Sequence, residues 1–171
     1  MLAYEKAGSG NIGPLIFTLL DTGRERELVE FIEDRWSNLD DLEADYPAGD
    51  SGYGLMSAVA QAYSRQGNEE RFLDAMQRVR RALDQAISLG TKAAFFYVQE
   101  AEYQALTGNH DAALDNLERA MEGGFTTTRL AEDWQSLKAL EGDARYHEIL
   151  ARMTEHLQSE RAALGLEPVS T

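Results

Sequence analysis

Apolar residues recur every three or four positions along almost the whole chain, which is the spacing of one face of an α-helix. The segment 72–87 shows this pattern most clearly. No run of alternating Val, Ile or Thr residues indicates a strand. The three prolines, Pro14, Pro47 and Pro168, do not interrupt any long periodic segment. The sequence therefore predicts an all-α fold.

Glycines divide the periodic segments into pairs of helices. Gly23, Gly67 and Gly108 each lie between two segments, where a helix commonly ends in a left-handed glycine. Asn68 and Asn109 directly follow two of these glycines and are good N-cap residues for the next helix. The predicted pairs are 13–21 with 24–44, 53–66 with 68–89, and 92–107 with 109–122, followed by shorter helices at 128–139 and 143–163.

The residues around these turns form an internal repeat. Ala60 lies seven residues before Gly67, and Ala101 lies seven residues before Gly108. A small residue midway along the first helix of a pair lets the second helix approach closely. Tyr63, three positions beyond Ala60, is large enough to fill the space beside it.

This pattern resembles the tetratricopeptide repeat family. Segment 56–67 resembles the first helix of such a repeat, and segment 108–120 resembles the second. The resemblance implies antiparallel helix pairs stacked in a right-handed superhelix. The turn glycines are 44 and 41 residues apart, against about 34 residues in the standard repeat, so we expect divergent repeats. Generic antiparallel helix pairs are the alternative.

The C-terminal part carries a second resemblance. Segment 133–153 is similar to the segment that closes many bacterial tetratricopeptide regions, which often end multidomain signalling proteins. The resemblance implies a cap over about 128–163, which covers the last pair with apolar side chains. These side chains are Trp134, Leu137, Leu140 and Tyr146. The N-terminus shows no matching cap, so we expect one repeat domain over 1–171 that is the C-terminal part of a longer protein.

Charge and composition exclude several classes of function. The chain has 16 basic and 30 acidic residues and a net charge of −14, which repels nucleic acids and anionic membranes. The most basic segment, 71–81, also contains acidic residues and is interpreted as a solvated helix face. The apolar stretch 12–20 is far shorter than the ~20 residues of a membrane-spanning helix. We expect a cytoplasmic protein, or a periplasmic one if the chain belongs to a membrane-anchored protein.

The sequence predicts no cofactor, no metal site and no catalytic residue. There is no cysteine for a disulfide, a thiolate metal site or a nucleophile. His147 and Glu148 begin like a zinc-protease helix, but Ala151 stands where the second histidine is required. The acidic segment 40–50 lacks the ordered spacing of a calcium site and would suit a basic partner. Segment 8–13 matches a nucleotide-binding glycine pattern but follows no strand.

The remaining prediction concerns the surface. The first helix of each pair lines the concave side of such a superhelix, so we expect a non-catalytic interaction or scaffold module that binds a peptide or protein there. The candidate binding residues are Ser57, Gln61, Ser64, Arg65, Tyr97, Glu102, Tyr103 and Gln104. One alternative is a ligand-sensing effector domain of a larger signalling or transcription-regulating protein. Another is an enzyme that uses an unrecognised pair of carboxylates.

Two further expectations follow. The residues expected to be accessible are Gln61, Arg65, Glu102 and Gln104, and those expected to be buried are Ala60 and Ala101. The carboxylate clamp of chaperone-binding tetratricopeptide domains needs Lys and Asn on these first helices, and the chain has neither at those positions.

The short helix 13–21 is expected to leave an apolar face open, formed by Leu15, Ile16, Leu19 and Leu20. Such a face predicts a homodimer through the N-terminal helices.

Overall fold

The computed structural model describes residues 12–47, 53–126 and 134–167, and these residues form helices and turns without a strand. The helices are α1 (Gly13–Asp21), α2 (Glu25–Arg35), α3 (Leu39–Asp45), α4 (Tyr53–Arg65), α5 (Glu69–Ser88), α6 (Ala94–Leu106), α7 (His110–Glu122) and α8 (Ala144–Ala163), with a 3-10 helix (Gln135–Leu140) before α8. The predicted all-α class is confirmed for this part of the chain. Most of these helices end within two residues of the predicted positions, and the helix predicted at 128–139 lies partly outside the described residues.

The predicted helix over 24–44 is wrong at its centre, where the chain leaves the helical conformation at Trp36. The backbone of Trp36 is extended, with φ −124° and ψ 128°. Its indole N–H donates to the Asp45 carboxylate at 2.8 Å, and its ring packs edge-on against Tyr46, with centroids 6.0 Å apart. Asn38 then caps α3 by accepting a backbone N–H of its first turn at 3.0 Å.

The turn glycines behave as predicted. Gly23, Gly67 and Gly108 have φ values of 69°, 72° and 80°, a left-handed conformation that costs glycine little because it has no Cβ. After each glycine, the next residue donates its backbone N–H to the carbonyl five residues earlier, at 2.8–2.9 Å. This is the closure of a Schellman motif. The same closure ends three further helices, at Gly90, Gly124 and Gly165.

The chain divides into two compact units, residues 1–76 and 77–171, and the division falls within α5. In the first unit, α1 and α2 pack against each other and both pack against α4. In the second unit, α6 packs against α7 and against the 3-10 helix, and α8 packs against α7. Helices α4 and α6 are therefore each covered by two neighbouring elements.

The apolar face of α1 is not open. Ile16, Leu19 and Leu20 are buried, because α1 packs against α2 and α4. Leu15 is partly buried. The prediction of an open apolar face is wrong, and the predicted homodimer loses this support.

The core of the second unit joins α6 and α7 to the C-terminal elements. Leu137, Leu140 and Tyr146, three of the predicted cap residues, are buried in one cluster with apolar residues of α6 and α7. Trp134, the fourth, is partly buried and packs against the same cluster. The 3-10 helix and α8 thus cover apolar surface of the α6–α7 hairpin, as the sequence predicts for these residues.

Candidate functional site

The structure places the candidate binding residues of α4 in two different environments. Ser57 and Gln61 are buried, and Ser64 and Arg65 lie at the surface. Gln61 is 6% exposed, so the expectation that it is accessible is wrong. The reason is that α1 and α2 both pack against α4, which buries more of its circumference than one apolar stripe. Ala60 is buried as predicted.

Arg65 joins the end of α4 to the α1–α2 turn. Its guanidinium lies 2.6 Å from the Glu25 carboxylate and donates to the Leu20 carbonyl at 3.2 Å. The hydrogen bond from Arg65 lowers the pKa of Glu25. The neighbouring Gln66 amide donates to the Glu25 carbonyl at 2.9 Å. Arg65 is therefore exposed as predicted, but its charge is used within the first unit.

The candidates on α6 lie on different sides of that helix. Tyr97 is half-buried and packs edge-on against Phe96, with centroids 5.7 Å apart. The Tyr103 ring lies 5.0 Å beneath the guanidinium carbon of Arg80, and Gln104 is partly buried. Glu102 is only 6% exposed, so the prediction that it is accessible is also wrong. These four residues do not form one surface.

Arg80 and Glu100 form an ion pair that the sequence analysis missed. Two guanidinium nitrogens of Arg80 donate to the two oxygens of Glu100 at 3.0 and 2.7 Å, and Asp84 lies 2.8 Å from the same guanidinium. Glu100 and Arg78 are buried. The interpretation of 71–81 as a solvated face is therefore wrong at Arg78 and Arg80. No pattern within α5 could reveal this, because Glu100 lies twenty residues further along the chain.

Glu102 links α6 to the 3-10 helix. The Ser136 hydroxyl donates to its carboxylate at 2.7 Å, and the indole N–H of Trp134 also donates to it. Burial raises the pKa of Glu102 to about 7, and the hydrogen bonds from Ser136 and Trp134 oppose this rise. The site is a buried carboxyl that exchanges its proton near neutral pH.

Three aromatic rings pack together in the second unit, and we call them the aromatic cluster. The ring centroids of Phe95, Phe125 and Trp134 are 6.2–6.4 Å apart. Phe95 is 49% exposed and lies two helical turns before Glu102, so both are on one face of α6. Trp134 belongs to the aromatic cluster and also binds Glu102. The sequence predicts Trp134 as a cap residue but gives no signal for the two phenylalanines, because an exposed ring cannot be told from a core ring by spacing.

Neither a group of metal ligands nor a membrane-spanning helix is found among the described residues. Within 12–47, 53–126 and 134–167, no three His, Asp or Glu residues are grouped so that they could hold a metal ion. None of the helices in these ranges has the length and apolar character to cross a membrane. In the acidic segment, residues 40–45 belong to α3, whereas 48–50 lie outside the described residues. The glycine pattern over 8–13 also falls largely outside them.

Comparison of the chain with protein-family models, with curated proteins and with solved structures finds no match. The resemblance to tetratricopeptide repeats therefore rests on the residues given above.

Proposed function

We propose that this protein is a non-catalytic helical-repeat module that binds a peptide or protein partner, with helix pairs stacked in a right-handed superhelix like that of tetratricopeptide proteins. The repeated hairpin closure supports the repeat. The same left-handed glycine and the same backbone hydrogen bond follow α1, α4 and α6. Buried Ala60 and Ala101 lie seven residues before the second and third of these glycines.

The aromatic cluster is the observation that best supports partner binding. Phe95 keeps 49% of its surface exposed while its ring contacts Phe125 and Trp134. Aromatic side chains are enriched at protein interfaces, where they supply a large apolar area and few rotamers to immobilise. Burial of Ser57, Gln61 and Glu102 removes much of the first-helix surface predicted from the sequence. We therefore move the proposed contact surface to the aromatic cluster, at the start of α6.

The charge of the chain indicates the chemistry of the partner. A net charge of −14 accelerates encounter with a basic protein and slows encounter with an acidic one. Because exposed charges are screened by salt, the association rate should fall as the ionic strength rises. The apolar contact at Phe95 should depend on salt much less.

Replacing Phe95 by Ala tests the proposal. Phe17 on α1 is the matched control, since it is also an exposed phenylalanine, at 42% against 49%. Proteins retained from the source cell by wild type, Phe95→Ala and Phe17→Ala are compared, and the dissociation constant of each shared partner is measured with purified components. We expect Phe95→Ala to weaken binding by roughly thirtyfold, as at an interface hot spot, and Phe17→Ala to have little effect. Equal affinity of both variants and wild type for every partner would exclude the aromatic cluster as the binding surface.

A further inference from the structure

A carboxyl group buried between two elements is an unusual way to hold them together. Glu102 lies on α6, whereas both groups that donate to it, Ser136 and Trp134, belong to the 3-10 helix or the residue that precedes it. Leu137 and Leu140 of the same short helix are buried beside residues of α6 and α7. The polar contact and the apolar contacts therefore hold the same segment, 134–140.

We propose that Glu102 is a proton-dependent latch, which holds residues 134–140 against α6 when the carboxyl is protonated and loosens them when it ionises. Release of the segment would return Glu102 to water, where a carboxylate is well solvated. Retention of the segment keeps the group in surroundings that disfavour charge. The charge state of one side chain thus changes the free energy of docking.

The charged groups on the neighbouring elements are engaged elsewhere or lie at the surface. Within α6, Glu100 pairs with Arg80 of α5. On the 3-10 helix, Lys138 is exposed. On α7, Glu118 pairs with Arg145 of α8 at 2.7 Å. The other titratable residues of α7 are exposed, and they are His110, Asp111, Asp115, Arg119 and Glu122. The latch therefore depends on burial and on two neutral donors.

The direction of the pH effect follows from the pKa of Glu102, which rises from its ordinary value of 4.5 to about 7 in the docked state. Because the docked state binds the proton more tightly, docking is strongest below pH 4.5 and weakens as the pH rises to 7. Because the pKa of Glu102 differs between the released and the docked state, the release of the segment is on the order of 100-fold more favourable at pH 8 than at pH 5. The change is complete slightly above neutral pH.

The latch also reaches the aromatic cluster, since Trp134 contacts Phe95 and Phe125 as well as Glu102. Loosening of Trp134 would remove one of the three rings. This consequence for partner binding rests on the proposed function, whereas the latch itself does not. A failed binding test at Phe95 would therefore leave the latch intact, and the latch is tested without any partner.

Hydrogen exchange of the backbone amides in residues 134–143 tests the latch. Wild type is compared with Glu102→Gln, an isosteric side chain that does not ionise in this range. Because the sequence of this peptide is the same in both proteins, the chemical exchange rates cancel at each pH. We expect the exchange rate of wild type relative to Glu102→Gln to rise 10- to 100-fold from pH 5 to pH 8. The peptide 110–122 of α7 serves as an internal control, with no such rise. A ratio that does not change with pH would overturn the proposal.

A second measurement tests the latch without depending on the folding of Glu102→Gln. The side-chain carboxyl of Glu102 can be titrated by carbon NMR in wild type and in Ser136→Ala. We expect a midpoint near 7 in wild type and a higher one in Ser136→Ala, because the Ser136 hydroxyl stabilises the ionised form. A wild-type midpoint near 4.5 would overturn the latch, as would a midpoint that Ser136→Ala leaves unchanged.

Discussion

Gln61 on α4 and Glu102 on α6 occupy the same position in two helix hairpins. Each lies six residues before a left-handed glycine and directly after a buried alanine, and each is 6% exposed. One side chain is an amide and the other an acid, although the two have nearly the same shape. In these two hairpins a long polar side chain is buried at this position, and only one of the two side chains can ionise. The ionisable group at Glu102 is therefore a feature of the second unit alone.

The surroundings of the two positions differ as well. Four residues before each turn glycine, α4 has Tyr63 and α6 has Gln104. Tyr63 is buried with its hydroxyl 3.5 Å from the Glu33 carboxylate, and burial, together with Glu33, raises the pKa of Tyr63 to about 12. Gln104 is only partly buried. At this position the first unit thus buries a phenol, whereas the second unit has a partly buried amide.

Introducing the acid into the first unit should have the largest effect. Gln61→Glu places a carboxyl at a buried position, which raises its pKa and penalises the ionised form. We expect the free energy of unfolding to fall by about 3–4 kcal/mol at pH 8 and by much less at pH 5. Denaturant titration at the two pH values measures the loss. An equal loss at both pH values would show that the position requires the amide N–H donors of Gln61, and not merely an uncharged side chain.

The buried alanines should show how alike the two hairpins are in packing. Ala60→Leu and Ala101→Leu each insert a larger side chain where the alanine is fully buried. We expect each to lower the free energy of unfolding by about 1–3 kcal/mol through overpacking. Chemical denaturation of both variants makes the comparison. If one hairpin tolerates leucine without loss, the repeat is similar in sequence but not in packing.

Removing the acid from the second unit should have a smaller and opposite effect. Glu102→Gln abolishes the cost of a buried charge, so we expect a gain of about 2–3 kcal/mol at pH 8 that is mostly lost at pH 5. The sign follows because the folded-state pKa lies above 4.5, so the cost is absent at low pH and appears as the pH rises toward 7. A constant difference between variant and wild type across this range would contradict the assignment.

The free energies of unfolding of variant and wild type must be compared at each pH, because ionisation of other carboxylates changes the stability in the opposite direction. Arg65 and Arg145 lower the pKa values of Glu25 and Glu118 through hydrogen bonds. Such groups contribute stability above their ordinary pKa that is lost as the pH falls. The pH profile of wild type is thus a sum of opposing terms. Subtracting the profile of Glu102→Gln isolates one of them.

The hairpins also show why the sequence predicts some features and misses others. Helices and glycine turns depend on residues a few positions apart, so spacing alone locates them. The break at Trp36 depends on Asp45, nine residues away, and the burial of Glu102 depends on Ser136, 34 residues away. A polar residue beside an apolar stripe is expected to face water. That expectation fails on α4 and α6, because two neighbouring elements cover each of these helices.

The smallest expected difference lies in the two asparagines that follow the turn glycines. The Asn68 side chain accepts the backbone N–H of Arg71 at 3.2 Å and caps α5, whereas Asn109 makes no cap bond and instead donates to the Thr107 hydroxyl at 3.1 Å. We expect Asn68→Ala to cost about 1 kcal/mol and Asn109→Ala to cost less than about 0.5 kcal/mol, as at an ordinary surface position. Thermal denaturation of the two variants resolves this difference.

Equal costs for the two asparagines would mean that Asn109 caps α7 in solution. The two hairpins would then share their capping as well as their glycine closure, and they would differ in the side chains within their first helices, such as Gln61 and Glu102. A loss of stability in Asn68→Ala alone would instead show that the two hairpins are alike in one feature and differ in another. The backbone turn would be common to both hairpins, and the side chains that stabilise it would differ, because a left-handed glycine closes the first helix whatever residue begins the second.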